Sequence, residues 1–388
     1  MKPQTVKNLT TLFLVCSLSG TSGSQDLAKD RVIGQLEAVA TFNGPMPTGV
    51  TVANNGRIFV NFPRWGDNVE YTVAEVKDGH PLPYPNADVN RYTDGDDPSN
   101  KLVSVQSVVV DPTGNLLWIL DTSSIAFAPV KPGGPKLIAV DLNTNQVVKK
   151  IIFPADVALP TTYLNDVRFD LHRGTEGMAF ITDSASTGAN AIIVVDLASG
   201  KSWRRLNDHP STKPDPVFVP VVEGEILQLR LPGRPPVRFA VGADGVAISP
   251  DGKTLYYRPL TSRHLYSVSV DALADRSKSE AEVAATVRDL GEKGGGGDGL
   301  ESDAQGRVYL SDYEHDAIRR WTPTGPIETL VHDPRVLWPD TLSLAADGYL
   351  YFTANQIERG AGFHSGQDLR QKPYVLFRVK VDGTRIGQ

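Results

Sequence analysis

Apolar and polar positions along this chain alternate in short runs, and the runs come in pairs. One phrase recurs six times: a polar residue, a strand-like apolar run, a turn containing glycine, and a second apolar run. It begins at Thr48 (TGVTVANNGRIFVNF), Gln106 (QSVVVDPTGNLLWILD) and Asn165 (NDVRFDLHRGTEGMAFITD). It returns at Asp244 (DGVAISPDGKTLYYRP), Asp298 (DGLESDAQGRVYLSD) and Asp340 (DTLSLAADGYLYFTAN). Val, Ile, Leu, Phe and Tyr fill the runs, and Asn-Gly, Thr-Gly, Asp-Gly or Gln-Gly marks most of the turns. Each phrase therefore predicts a β-hairpin.

A second hairpin pattern follows most phrases, as in KLIAVDLNTNQVVKKIIF and AIIVVDLASGKSWRRL. Two hairpins make a four-stranded sheet, and such a sheet repeated radially is a propeller blade. The expected fold is all-β: one six-bladed propeller over residues 25–388. The last repeat ends after YVLFRVKVDGT, one strand short. Leu36 to Phe42 (LEAVATF) supplies that strand from the other end of the chain, closing the ring and removing a free sheet edge. Two stretches break the period as insertions, residues 65–100 and 207–239. Either serves as a wall over a channel mouth or as a variable surface loop.

Composition adjusts this picture little. Of 388 residues, 40% are hydrophobic and 22% charged, enough to bury a large core. The net charge of −6 argues against nucleic acid as a partner and mildly favours a cationic small molecule. A monomer is expected. Residues 1–24 read as a secretory signal, with Lys2 and Lys7 ahead of a short apolar stretch and small residues from Ser19 to Ser24. The single cysteine, Cys16, lies in that segment, so no cysteine chemistry is expected after cleavage. No stretch reaches the ~20 apolar residues of a membrane span. The expected location is outside the cell or in the periplasm.

The candidate chemistry is a ring. The residue opening each innermost strand points towards the propeller axis, and these six are Thr48, Gln106, Asn165, Asp244, Asp298 and Asp340. All are polar and three are carboxylic acids. Such a ring suits an amine or a hard cation. Crowded carboxylates repel, which raises at least one pKa and can tune a general base. The competing reading is structural, because Asp and Asn before a strand bond local backbone N–H groups and Asp-Gly is a turn device. A second tier, Asn61, Asp121, Asp183, Asp312 and Asn355, is expected to brace neighbouring blades. Gly294 to Gly299 matches GxGxxG but precedes a strand and opens no helix, so it does not read as a dinucleotide site.

Several pieces together resemble the major royal jelly protein/yellow family: NFPRWGDNVEYTVAEV, YLNDVRFD, ITDSASTGANAIIVVDLASGKSWR, GADGVAISPDGKTLYYRPLTSRHLYSV and LWPDTLSLAADGYLYFTANQ. They extend from about Asn61 to Gln356. The resemblance implies a secreted six-bladed propeller, some members of which bind biogenic amines in the channel. A more distant resemblance is to the gluconolactonase/regucalcin family, whose divalent cation sits at the channel mouth. By motif its ligands correspond to Asn165, Asp244 and Asp298, with Asp298 as the catalytic base, but Thr48 stands where a Glu is expected. Three readings stay open. The first is a channel that binds a cationic or aromatic small molecule. The second is a hydrolase of lactones or esters that uses Ca, Mg, Zn or Mn. The third is a non-enzymatic protein-interaction propeller.

Overall fold

Each of the six phrases folds as the inner hairpin of a four-stranded antiparallel sheet in the computed structural model, which describes residues 31–387. The expected signal segment and Cys16 lie outside the described residues. Blade one comprises Val50–Val52, Ile58–Asn61, Val73–Lys77 and His80–Pro83. Blade two comprises Val105–Val110, Leu116–Asp121, Lys136–Asp141 and Gln146–Ile152. Blade three comprises Leu164–Asp170, Met178–Asp183, Ala191–Asp196 and Ser202–Arg205. Blade four comprises Ala243–Ile248, Thr254–Pro259, His264–Ser269 and Arg288–Glu292. Blade five comprises Leu300–Ser302, Val308–Asp312, Ala317–Trp321 and Ile327–His332.

Blade six begins with Pro339–Leu344, Tyr349–Ala354 and Tyr374–Lys380 and borrows its fourth strand. Leu36–Phe42 pairs antiparallel with Tyr374–Lys380, from Leu36 opposite Val379 to Phe42 opposite Tyr374. The innermost strands neighbour one another in order from blade one to blade six and back to blade one. Ring closure by the N-terminal strand is therefore as expected.

Burial explains why the inner strands read as near-continuous apolar runs. They are covered on both faces by the adjoining blades. All six residues of Ala243–Ile248 are buried, whereas the outer strand Gln146–Ile152 buries only Ile151. An apolar cluster fills every blade interface. Between blades two and three it includes Leu137, Val167, Ile181 and Ile193, with Trp118 and Phe169 rings 5.1 Å apart. Each large aliphatic or aromatic side chain buried there contributes about 1.5–3 kcal/mol of transfer free energy.

The two expected insertions differ from the sequence reading in one respect. Part of residues 65–100 is not an insertion, because Val73–Lys77 and His80–Pro83 are the outer hairpin of blade one. Its turn, Asp78-Gly79, has positive φ at both residues, as a two-residue type I′ hairpin requires. Residues 207–239 do stand outside the blades and form two short ribbons, Val221–Val222 with Glu225–Ile226 and Gln228–Leu229 with Val237–Arg238. They dock on residues 357–371 of blade six. Arg230 N–H donates to the Gly362 carbonyl at 2.8 Å, Ser365 N–H donates to the Arg230 carbonyl at 2.8 Å, and Glu223 pairs with Arg359. Together these segments roof one channel mouth.

Candidate functional site

The ring residues sit where the inner strands are irregular. The ladder shifts register between Val105 and Ser107, Leu164 and Val167, Ala243 and Val246, and Pro339 and Leu342. These bulges fall on Gln106, Asn165, Asp244 and Asp340 and turn their side chains out of the regular pleat. The glycine after two of the acids is there for space, not for a turn. A Cβ on Gly245 would lie 2.1 Å from the Asp298 carbonyl oxygen, and one on Gly299 would lie 2.3 Å from that of Asp340. Neighbouring inner strands can approach this closely only without a side chain.

All six predicted residues are buried near the axis. Gln106, Asn165, Asp244 and Asp298 line a cavity of about 650 Å³ under the roof; Thr48 and Asp340 do not line it. The Asn165 amide donates to Asp244 Oδ2 at 2.6 Å and to Ser184 Oγ at 2.9 Å. Asp298 lies within hydrogen-bonding reach of both Asp244 and Asp340, so the three acids form one cluster. Asp298 Oδ2 also accepts Trp338 Nε1–H at 2.8 Å. Asp340 Oδ2 accepts Asn355 Nδ2–H at 2.7 Å. Asp244 Oδ1 accepts no hydrogen bond from an N–H or O–H of the described residues.

The electrostatics follow from this crowding. Burial, and then the charges of Asp298 and Asp166, push the Asp244 pKa well above the ordinary carboxylate range. Burial and Asp298 do the same to Asp340. Burial also raises Asp298, but there the bonds from Asp244 and Trp338 and the nearby Arg258 guanidinium work in the opposite direction. Asp298 is thus the carboxyl of the three best placed to ionise. Asp166, one residue beyond Asn165, is raised by burial to about 6 despite Arg168. These groups titrate as a set.

The walls were not legible as a motif. Trp65, Phe127, Tyr163, Phe239, Trp338 and Phe363 line the cavity from segments far apart in sequence. Trp65 and Phe127 stack at 5.2 Å, with Phe127 and Tyr163 at 5.3 Å. Trp65 Nε1–H donates to the Tyr163 hydroxyl at 2.6 Å, which donates to Gln106 Oε1 at 3.0 Å. Trp338 is wholly buried, lies 4.1 Å from the parallel ring of Tyr313, and has φ of 47°. A bulky non-glycine residue in that region costs about 1–3 kcal/mol and is characteristic of functional sites. Arg258, also wholly buried, donates to the carbonyls of Ser262 at 3.0 Å and Gly295 at 2.6 Å.

The second tier braces more locally than expected. Asn61 does reach the next blade, donating to the Val105 and Gln106 carbonyls at 3.0 and 3.1 Å. Asp121 instead accepts Val103 and Ser104 N–H at 2.7 and 3.0 Å, and Asp183 accepts Tyr163 N–H at 2.9 Å. Both tie down the segment entering their own blade's inner strand. Of Gly294–Gly297 only Gly294 has positive φ, whereas a Cβ on Gly297 would lie 2.1 Å from the Ser311 carbonyl oxygen.

A divalent cation fits this donor set poorly. Asn165 turns its amide nitrogen to Asp244, and Thr48 Oγ1 is occupied by the Asn61 amide at 2.8 Å. Among the described residues no group of three His, Cys, Asp or Glu side chains is arranged to hold a metal ion. Nor, among those residues, is any helix long and apolar enough to cross a membrane.

The model of the family described as major royal jelly protein matches residues 103–380. The protein yellow of Drosophila guanche is 28% identical over 252 residues, covering 61% of this chain and 41% of that protein. The protein yellow of Drosophila melanogaster is also 28% identical over 252 residues, covering 61% of this chain and 43% of its own length. The match therefore spans less than half of either relative. Among solved structures, a calcium-binding regucalcin from Agrobacterium tumefaciens has a TM-score of 0.53 at 14% identity, covering 90% of this chain and 98% of that one. A gluconolactonase from Xanthomonas campestris has a TM-score of 0.51 at 12% identity, covering 89% of each chain. At such identities these two speak for the fold alone.

Proposed function

The chain belongs to the major royal jelly protein family, and from that premise we propose that its roofed channel binds a small aromatic molecule carrying one ammonium group. The observation that supports this reading most is the pairing of aromatic walls with an acidic floor in one cavity of about 650 Å³. That size suits a small organic ligand. The ammonium lies against Asp298 and Asp244 and gains charge-assisted hydrogen bonds. The ring lies among Trp65, Phe127 and Tyr163, where the cation also meets aromatic faces. Gln106 and Asn165 orient the ligand's polar substituents. Asp340 does not touch the ligand but keeps a proton and donates it to Asp298. The same donor set favours an ammonium over the divalent cation of an ester hydrolase, since an ammonium needs acceptors and tolerates a single net charge.

Export is part of the proposal, carried by residues 1–24. The binding reading is tested by following tryptophan fluorescence, to which Trp65 and Trp338 report from the cavity wall, during titration with 2-phenylethylamine and with 2-phenylethanol. The amine is expected to bind at least ~10-fold more tightly than its neutral counterpart. Equal affinities, or binding of neither, would remove the role given to the acids.

A further inference from the structure

The apolar walls of the roofed cavity come from opposite halves of the ring and differ in shape. Trp65, Phe127 and Tyr163 stand on connections of blades one, two and three. Their rings form a flat platform, Trp65 at 27° to Phe127 and Phe127 at 34° to Tyr163. Phe127 is 60% exposed, so the platform reaches the open side of the cavity. The other wall is a lobe under the roof, lined by Leu229, Phe239, Val241, Leu260, Ile357 and Phe363 from the roof and from blades four and six. Leu229, Phe239, Val241 and Ile357 are only half-buried there, which leaves apolar surface for a ligand to cover. Rings in this lobe meet on edge, Phe239 at 81° to Phe363 and at 66° to Trp338, and the remaining side chains are aliphatic. The lobe suits an alkyl chain, and the platform suits a ring.

The acids stand at the axis between these two walls. Asp244 is tied to the platform side through the Asn165 amide at 2.6 Å, and Asn165 follows Tyr163 by two residues. Asp298 is tied to the roofed side through Trp338 Nε1–H at 2.8 Å. Of the three clustered acids only these two line the cavity. The cavity therefore offers two carboxyl groups with an apolar wall on either side of them. A primary ammonium brings three N–H donors and one apolar arm; a secondary ammonium brings two of each. The volume points the same way. A space of about 650 Å³ holds at least about twenty water-sized bodies, roughly twice the number of non-hydrogen atoms in 2-phenylethylamine.

Resting on the reading of the channel as an amine site, we infer that its ligand is a secondary amine with two unlike arms, an aryl group on the platform and an alkyl group under the roof. The nitrogen lies where the arms meet, and its two N–H donors go to Asp244 and Asp298 as charge-assisted hydrogen bonds. Leu229 sits on the ribbon Gln228–Leu229 with Val237–Arg238, so the inserted segment sets the specificity for the alkyl arm. A primary arylalkylamine fills the platform and the acids but leaves the lobe under the roof without an occupant.

Calorimetric titration of the full chain with 2-phenylethylamine, its N-butyl and N-butyl-N-methyl derivatives, and 2-phenylethanol tests the inference. Each methylene buried under the roof adds about three- to fourfold in affinity, so the N-butyl amine should bind at least ~10-fold more tightly than the primary one. The tertiary amine keeps both arms and the charge but has one N–H, and should bind at least ~10-fold more weakly than the N-butyl amine. Leu229→Trp fills the lobe and should bring the preference for the N-butyl amine close to one. Phe127→Ala trims the platform and should weaken both amines by a similar factor, so the preference survives. If 2-phenylethylamine outbinds 2-phenylethanol but the N-butyl amine is no tighter, or its preference is unchanged in Leu229→Trp, the two-armed ligand is overturned and the amine site stands. A tertiary amine as tight as the secondary one overturns the pairing of two N–H donors with two acids. Equal binding of 2-phenylethanol and 2-phenylethylamine removes the amine site and this inference with it.

Discussion

Replacing Trp338 by phenylalanine isolates one contact in the acid cluster. The Tyr313 stack at 4.1 Å can persist, and what disappears is the 2.8 Å donation to Asp298 Oδ2. A hydrogen bond to an ionised acceptor is worth about 1.5–3 kcal/mol. That bond favours the charged form of Asp298, so its loss favours the proton. Binding of an ammonium needs the carboxylate, and affinity should therefore rise with pH as Asp298 ionises. In Trp338→Phe the rising limb moves to higher pH. On that limb the variant should bind ~10–100-fold more weakly than the wild type, converging with it on the alkaline plateau. The assay is the dissociation constant of 2-phenylethylamine across pH 4 to 9 for both proteins. A variant weakened by the same factor at every pH would show that Trp338 only packs, and the assigned coupling to Asp298 would be refuted.

Two further predictions concern stability. Glu358 is buried behind the roof with neither carboxylate oxygen hydrogen-bonded, and burial pushes its pKa up to about 8 from 4.5. Because the folded value is the higher one, its contribution to stability is fully present below 4.5 and is lost as pH rises through 8. The unfolding midpoint should fall across that window, and Glu358→Gln should flatten the fall; an unchanged slope would contradict the assignment. Lys136 is wholly buried and donates to Asp121 Oδ2 at 2.6 Å and to the Pro98 and Gly134 carbonyls at 2.9 Å. Lys136→Met leaves the buried Asp121 without its countercharge and should cost about 3–5 kcal/mol in urea unfolding. A loss under ~1 kcal/mol would mean that the N–H donors of Val103, Ser104 and Ser123 suffice for Asp121.

Much of the fold was legible because each blade repeats the same local chemistry. The glycine turns and doubly buried inner strands marked all six hairpins, and the unpaired last repeat pointed to Leu36–Phe42. The outer hairpin of blade one was obscured by Pro81 and Pro83, which weaken a strand pattern although an edge strand tolerates them. Its Asp78-Gly79 turn was the overlooked signal. The axial residues were legible since ring position follows from repeat position. Their pairing was not: nothing in the sequence places Asn165 against Asp244, or ranks Asp298 as the acid that ionises first. That ranking depends on Trp338 and Arg258, brought in by neighbouring blades. Arg258 did leave a trace, as a charged residue inside the otherwise apolar strand TLYYRP. The aromatic walls left none, because Trp65, Phe127, Phe239 and Phe363 lie on connections whose spacing follows no period.

The most direct test of the channel reading is calorimetric titration of 2-phenylethylamine into the wild type and Asp298→Asn at neutral pH, with near-UV circular dichroism confirming that the variant keeps its fold. Loss of a buried charge partner predicts affinity weaker by ~30-fold or more in the variant. Equal affinity in the two proteins would contradict the claim that the acid cluster holds the ligand's charge.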